Sequence, residues 1–373
     1  AIEAVASTGG QLMPPMMGVA AFVMAELLQV EYGEVVLAAL IPAILYYAAL
    51  FIQVDLQAAR DGIKSIERSL IPRAWPVFRT GGLFLIPFVV IVLCLFRWNL
   101  QPETAALYAA LSLLPIGFLI GYQGDRLKIG EFLRVFGRTG RASLEILMIG
   151  GAAGIIIGVL NISALGFALT QELVGFAGGI LFILLILSAL VCIVLGMGMP
   201  TLGVYILLAT LVAPAIIELG VPDMAAHLFV LYYGMMSMIT PPVAIAAFAA
   251  ASLANAPMMR TGWNAVKFGW SAYVIPFLFV YSPTLIMKGD VWHIALTCVT
   301  ALAGVWMVSV AVMGFMIRPV ALPVRLLFAC GGLALLLPVD AFAEALWVNM
   351  AGLLAMLVLL ASEFVLNRRL ATG

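Results

Sequence analysis

Met235-Met236-Ser237-Met238-Ile239-Thr240-Pro241-Pro242-Val243-Ala244-Ile245-Ala246-Ala247-Phe248 is the stretch on which the fold turns. Apolar sequence runs on both sides of it, long enough to cross a bilayer. Pro241 and Pro242 have no N–H, and their rings clash with the preceding turn, so a helix breaks there. Thr240 precedes a proline and is pushed out of the α region. A helix broken at mid-membrane depth bares carbonyls, which persist only where protein or a water-filled site covers them. In transporters such breaks coordinate cations and substrate near the midplane. The plain alternative is a proline kink that eases packing.

A second copy of the pattern weighs against a mere kink. Residues 7–22 read Ser-Thr-Gly-Gly-Gln-Leu-Met-Pro-Pro-Met-Met-Gly-Val-Ala-Ala-Phe. Both stretches carry a Pro-Pro pair, then small residues, an Ala-Ala and a Phe. An apolar helix with a Pro-then-Tyr pattern follows each, Pro42 to Tyr47 and Pro276 to Tyr281. The chain is therefore expected to hold an internal repeat of about 230 residues.

Composition sets the environment. Hydrophobic residues make up 65% of the 373 and charged ones 10%, the balance of a polytopic membrane protein. The formal net charge is zero, which removes the electrostatic footing for nucleic-acid binding. Cys94, Cys192, Cys298 and Cys330 all lie in apolar runs and read as small core or lipid-facing residues. Ala1-Ile2-Glu3-Ala4 has no basic n-region and is no signal peptide; it looks like the middle of something longer.

Read outward, residues 34–54 make a spanning helix and 55–80 a charged surface segment, part of it helical. Spans follow at 81–96 and 104–121. Residues 122–141, with Arg126, Lys128, Arg134, Arg138 and Arg141 against Leu127, Phe132, Leu133 and Phe136, read as an amphipathic helix lying on the membrane. A span rich in small residues is expected at 142–165. Residues 177–219 are apolar around a Gly196-Met197-Gly198-Met199-Pro200-Thr201 tip and read as a re-entrant hairpin. After the break at Thr240 come an amphipathic piece with Arg260 and Lys267 and spans at about 271–287, 291–316, 324–338 and 343–365. The expected fold is an all-α polytopic membrane protein, about ten transmembrane helices plus the hairpin.

Charge orients it. With 55–80 in the cytoplasm, sixteen of the eighteen Lys and Arg fall inside, and only Arg97 and Lys288 outside. Two full spans in place of the hairpin would leave that parity unchanged. The first Pro-Pro helix then runs outward and the second inward, an inverted repeat of discontinuous helices. A hairpin should precede each broken helix. The first would lie before residue 1, so the chain is expected to be truncated on its N-terminal side.

Gly196 to Thr201, Ala226-His227-Leu228-Phe229, Thr240-Pro241-Pro242-Val243 and Pro276-Phe277 resemble the large membrane subunit of tripartite ATP-independent periplasmic (TRAP) transporters. Residues 7–18 and the helices after 290 resemble the fused-permease branch, which joins small and large membrane subunits and often works with a TAXI-type binding protein. On this resemblance residues 1–290 are the permease domain, and 291–373 are C-terminal helices of that branch. The small membrane subunit would be fused upstream and is missing here. The resemblance implies a multi-pass protein of the bacterial or archaeal inner membrane that is not an enzyme. It also implies sodium-driven uptake of organic anions, carboxylates above all, delivered by a soluble periplasmic receptor. An elevator motion of the hairpin-bearing domain is implied too. No cofactor beyond the coupling sodium ion is expected.

A sodium ion wants several oxygens, and carbonyls freed at a helix break with nearby hydroxyls supply them without formal charge. Gly196, Gly198 and Thr201 at the tip, with Thr240 at the break, fit that need as sodium ligands. Ser7, Thr8, Gly9, Gly10 and Gln11 fit it in the first copy. Pro14, Pro15, Pro200, Pro241 and Pro242 shape the breaks and the tip and are counted with them among the substrate- and ion-binding positions. Backbone N–H groups after Pro15, Thr201 and Pro242 are placed to hold substrate carboxylates at helix N-termini. The alternative is that the glycines only permit tight turns.

Other polar residues carry weaker signals. Glu145 suits a cap or an interface pair, Glu26 is a candidate functional carboxylate, and Asn161 a candidate interhelical bond. His227 reads as structural, and His227 and His293 are too far apart for a metal cluster. A membrane enzyme lacks its motifs, with no His-Glu-x-x-His and no nucleophile elbow. A stand-alone sodium-coupled dicarboxylate carrier is the nearest competitor, and a channel with the same fold is the next.

Overall fold

The computed structural model describes residues 1–122, 125–341 and 343–372, without the side chains of Glu145, Ala153, Asn161 and 364–372. The roles expected of Glu145 and Asn161 thus lie outside the described residues. Apart from two isolated bridges, the regular structure described is all helical.

Helices α1 (Ile2–Gly9) and α2 (Val19–Leu28) flank the first proline pair, and α3 (Tyr32–Arg60) follows. A short α4 (Ala74–Gly81) leads into α5 (Ile86–Phe96), against which α6 (Pro102–Pro115) folds back. Next come α7 (Ile129–Ser163), α8 (Leu165–Ala177) and α9 (Leu181–Gly196). Helices α10 (Thr201–Leu211) and α11 (Ala213–Glu218) then pack back along α9. Helices α12 (Asp223–Met236) and α13 (Ile245–Leu253) flank the second proline pair. They are followed by α14 (Met258–Phe268), α15 (Trp270–Tyr281), α16 (Val291–Met313), α17 (Leu322–Leu336) and α18 (Ala345–Thr372).

Seven helical stretches among the described residues are long and apolar enough to cross a membrane, against about ten expected. Helices α9, α15 and α17 fall short, at 16, 12 and 15 residues. Helices α10 and α11, with Val212 between them, make an apolar stretch of 18 residues that is long enough without α9. The 122–141 segment also differs from expectation. From Ile129 it is not a separate surface helix but the start of α7, 35 residues without interruption. At its start Lys128 N–H donates to the Glu131 carboxylate at 3.4 Å and Glu131 N–H to the Lys128 carbonyl at 3.0 Å, and no proline interrupts it. At 1.5 Å per residue it is about 52 Å long, against about 30 Å of hydrocarbon. Its arginine-bearing first turns therefore extend beyond any apolar core that the rest occupies.

The core is centred on α12, whose residues Met224 to Met236 are all buried. Helices α9, α10, α15, α2 and α3 surround it. A helix apolar all round is stable only when so enclosed. Helix α7, by contrast, has none of its apolar window buried. The end of α3, the α16–α17 loop and α18 meet at one end of the bundle, on the side that charge assigns to the cytoplasm. Arg60 donates to the Met313 carbonyl at 3.1 Å, and Arg325 to that of Ala311 at 2.8 Å. There Arg318 grips the buried Glu363 through two bonds of 2.8 and 3.0 Å. At the opposite end Ser282 donates to Asp340 at 2.6 Å.

Candidate functional site

The second break shows how a helix ends inside a core. Past Met236 the ladder tightens, with Met238 N–H donating to Met235 at 3.0 Å and Ile239 N–H to Met236 at 3.1 Å. Gly234 thereby loses the amide it would bond in an α-helix, and the Ser237 hydroxyl donates to its carbonyl at 2.6 Å. The Thr240 hydroxyl donates to the Met236 carbonyl at 2.6 Å and accepts from the Tyr273 hydroxyl at 2.7 Å. The chain then crosses a cis Pro241–Pro242 bond and re-enters a helix through Ala244. Ala244 sits at φ 35°, a left-handed conformation uncommon outside glycine. Ala246 N–H closes the loop on the Met238 carbonyl at 2.9 Å. Only carbonyls and hydroxyls furnish oxygens here, since residues 234–244 hold no carboxylate.

The first break follows the same course with other side chains. Gly10, Gln11 and Leu12 N–H groups turn back to Ser7, Thr8 and Gly9 at 2.9 to 3.2 Å. The Ala6 carbonyl, whose α-helical partner would be Gly10, accepts from the Tyr47 hydroxyl at 3.0 Å. Tyr46 donates to Val5 at 2.6 Å, and Tyr32 donates to Pro15 at 2.8 Å. Pro14–Pro15 is also cis, and Gly18 N–H closes on the Gln11 carbonyl at 2.9 Å. Gly9 has no room for a side chain: a Cβ there would stand 2.2 Å from Tyr46 Cε1.

The hairpin tip reaches the second break. Residues 197–200 turn the chain, with Gly198 at φ 83°. A Cβ on Gly196 would lie 2.7 Å from Ser237 Oγ and 3.0 Å from the Gly234 carbonyl. Thr201 Oγ1 donates to Met238 Sδ at 3.7 Å. The two halves cross-pack, α1 against α13 and α2 against α12, while α10 touches both α2 and α12. Gly269 lies between Ile239 of the second break and Val5 of α1.

Gly196 and Thr201 are thus brought to the second break, but Thr240 bonds inward to Met236 and Tyr273 and to neither tip residue. Gly198, Pro200 and Pro242 are exposed, as are Ser7 and Gly10, whereas Thr8, Gly9 and Pro241 are buried. Gln11, Pro14 and Pro15 are half-buried. No three His, Cys, Asp or Glu among the described residues form a metal-binding group. The neutral oxygens at the break suit a monovalent cation better than a transition metal.

Sequence reasoning missed Ser237, Tyr46, Tyr47 and Tyr273 as partners of the breaks. The Pro-then-Tyr pattern pointed to the right helix in each half. In the second it marked Tyr281, which is exposed, rather than Tyr273. His227 is structural: its Nδ1 meets the Tyr205 hydroxyl at 2.7 Å and ties α12 to α10. His293 lies 3.4 Å from Asp290 at the exposed start of α16. Glu26 is exposed and lines a cleft of about 700 Å³ between the α2–α3 junction and the α5–α6 loop. Cys94 and Cys192 are buried, Cys330 is exposed, and all four cysteines are free.

Comparison with known proteins bears on the family of the chain. The family model for the tripartite ATP-independent periplasmic transporter, DctM component, matches residues 1–293. The isethionate TRAP transporter permease protein DctMQ of Oleidesulfovibrio alaskensis is 23% identical over 263 residues. That alignment covers 69% of this chain and 40% of the relative, so the chain spans well under two thirds of that protein's length. The chain belongs to the DctM family of TRAP transporter permeases.

Proposed function

We propose that this DctM-family permease imports small organic anions together with sodium, taking substrate from a soluble periplasmic binding protein of the TAXI type or a related one. The observation that carries the reading is the meeting of the hairpin tip with the second helix break. There Gly196 and Thr201 lie against Ser237 and Met238 beside a cluster of hydroxyl and carbonyl oxygens. Sodium would be held by oxygens of Thr240, Thr201, Gly196 and Gly198, and by residues 7–11 at the first break. The ion supplies positive charge that an anionic substrate can share. Helix N-termini at Thr201 and after the proline pairs favour the anion's negative end. Carboxylates are the leading substrate class, and isethionate, in the relative's name, is a sulfonate candidate.

The proposal extends to the motion. The hairpin α9–α11 re-enters from the periplasmic side and, with the breaks, moves as an elevator unit against a scaffold. A small membrane subunit fused upstream completes the permease. The test is uptake by the complete transporter in proteoliposomes, with a sodium gradient imposed and the soluble receptor present or withheld. Uptake requiring both is the expected result. Uptake that persists without receptor would favour a stand-alone sodium-coupled carrier. Uptake indifferent to the gradient would refute sodium coupling.

A further inference from the structure

At the end of the bundle away from the arginines, side-chain oxygens from three segments gather. Past α15 the chain makes a short 3₁₀ turn, Pro283–Ile286, packed against α3, α15 and α16. Ser282 opens that turn and Thr284 lies within it, Thr297 belongs to α16, and Asp340 to the α17–α18 connection. Ser282 Oγ donates to Asp340 Oδ1 at 2.6 Å and stands 2.7 Å from Thr284 Oγ1, which is 3.2 Å from the same carboxylate oxygen. Thr297 Oγ1 lies 3.5 Å behind Thr284 Oγ1. Ser282, Thr284 and Thr297 are 0%, 2% and 1% exposed, whereas Asp340 reaches the surface.

The hydrogens do not cover these contacts. A carboxylate only accepts, and each hydroxyl has one proton to give. Among the oxygens of Ser282, Thr284 and Asp340 two protons face three contacts, so one contact sets lone pair against lone pair. No cationic side chain compensates among the described residues. Asp340 and Lys288 form no ion pair there, and His293 is turned to Asp290. The same connection carries a further oxygen. Asn349, 4% exposed, donates through Nδ2 to the Leu337 carbonyl at 2.7 Å, and its Oδ1 accepts nothing among the described residues. Crowded oxygens around one formal negative charge suit a hard cation. One carboxylate among neutral oxygens balances a single positive charge, which favours sodium over calcium.

We propose that Ser282, Thr284 and Asp340 bind a sodium ion, with Thr297 behind them, and that the ion pins the α17–α18 connection to the end of α15. This site is separate from both helix breaks: Tyr273, the partner of Thr240, lies in the first turn of α15, and Ser282 follows its last. Thr297 and Asp340 also lie beyond residue 293, where the match to the family model ends. The ion is structural, and its binding does not depend on sodium coupling at the breaks.

The test is the thermal midpoint of the complete permease in detergent, with sodium chloride replaced stepwise by choline chloride at constant ionic strength. All variants carry Thr240→Val, so that an ion at the second break contributes little to the difference between them. A ligand that binds only the folded state raises the midpoint, and sodium should do so in the Thr240→Val parent. Asp340→Asn keeps an oxygen for Ser282 and Thr284 to donate to and removes only the charge. It should raise the sodium concentration for half-maximal stabilisation about tenfold or more. Ser282→Ala, which keeps the charge, should raise it less. Midpoints lowered equally at every sodium concentration would show a latch of hydrogen bonds and overturn the ion. A parent that responds to choline as to sodium overturns it too. Should Asp340→Asn fail to fold, an unaltered sodium response in Ser282→Ala overturns the proposal by itself. Coupling at the breaks is read separately, from uptake, so either reading can fail alone.

Discussion

Thr240 and Met13 both stand immediately before a proline pair, and there the two breaks part. At the second break the Thr240 hydroxyl covers the Met236 carbonyl from within the break, and Ser237 does the same for Gly234. At the first, Met13 offers no hydroxyl, and cover for Ala6 and Val5 comes from Tyr47 and Tyr46 of α3. The return to helix differs too, through left-handed Ala244 in one and extended Gly18 in the other. A break finished by its own hydroxyls can exchange a hydrogen bond for a cation by rotating a side chain. A break finished by a neighbouring helix can do so only by moving that helix. On the proposed function the second break is accordingly the better candidate ion site, and the first the better anchor.

The largest expected effect tests the anchor. In Gly9→Ala the new methyl stands 2.2 Å from a Tyr46 ring that is pinned through its hydroxyl to Val5. Neither ring nor backbone can yield easily. Overpacking of this kind costs ~1–3 kcal/mol, and Gly9→Ala should fall at the upper end. Gly196→Ala meets Ser237 Oγ at 2.7 Å, which can turn away and lose its bond to Gly234, and it meets the Gly234 carbonyl and Ser237 Cβ at 3.0 Å, which must give by a few tenths of an ångström. Its cost should exceed the ~1 kcal/mol of a single hydrogen bond and stay below that of Gly9→Ala. Midpoints of thermal unfolding in detergent compare the two. Equal losses, or a larger one for Gly196→Ala, would show that the first break is no more rigid than the second.

The next effect concerns the ion. Thr240→Val keeps the shape of the side chain and deletes its oxygen. Losing one ligand should raise the sodium concentration for half-maximal uptake about tenfold, equivalent to ~1.4 kcal/mol. Some stability is lost as well, because Met236 loses a hydrogen bond worth ~1 kcal/mol. Receptor docking should be unaffected. Normal uptake with unchanged sodium dependence would reduce Thr240 to a residue that shapes the bend.

What the sequence disclosed and what it hid follow from the range of the forces involved. Proline pairs and a Gly-x-Gly-x-Pro turn act on their own backbone, so both breaks and the α9–α10 turn were legible at Pro14, Pro241 and Gly198. Hydropathy located α3, α5, α6 and α16 to within a few residues at most ends. It misjudged α7, because a change from basic to apolar sequence at residue 141 alters a helix's surroundings without ending the helix. The tyrosines were hidden for a different reason. Tyr273 meets Thr240 across 33 residues and Tyr47 meets Ala6 across 41. No local pattern records which face of α15 or α3 turns towards the break. The hidden partners of the breaks are thus long-range contacts, with Ser237 the exception, present in the decisive stretch but masked by its methionine neighbours.

The smallest effect is the most discriminating, because it compares tyrosine hydroxyls doing different work. Tyr47→Phe removes the donor that replaces Gly10 N–H at the Ala6 carbonyl. Ala6 is half-buried near the end of α1. The loss should be ~1 kcal/mol, the usual figure for one hydrogen bond. Tyr273→Phe removes a donor to Thr240, yet Thr240 still donates to Met236, so no backbone group is left bare. Its thermal midpoint should therefore fall by less than that of Tyr47→Phe. The Thr240 oxygen, meanwhile, gains a free lone pair facing the vacated position. If Tyr273 competes with the ion for that lone pair, Tyr273→Phe should lower the sodium concentration for half-maximal uptake, and Tyr47→Phe should leave it alone. The reverse order of stabilities, or a sodium shift in Tyr47→Phe of the same sign and size, would mean that both breaks serve the ion alike.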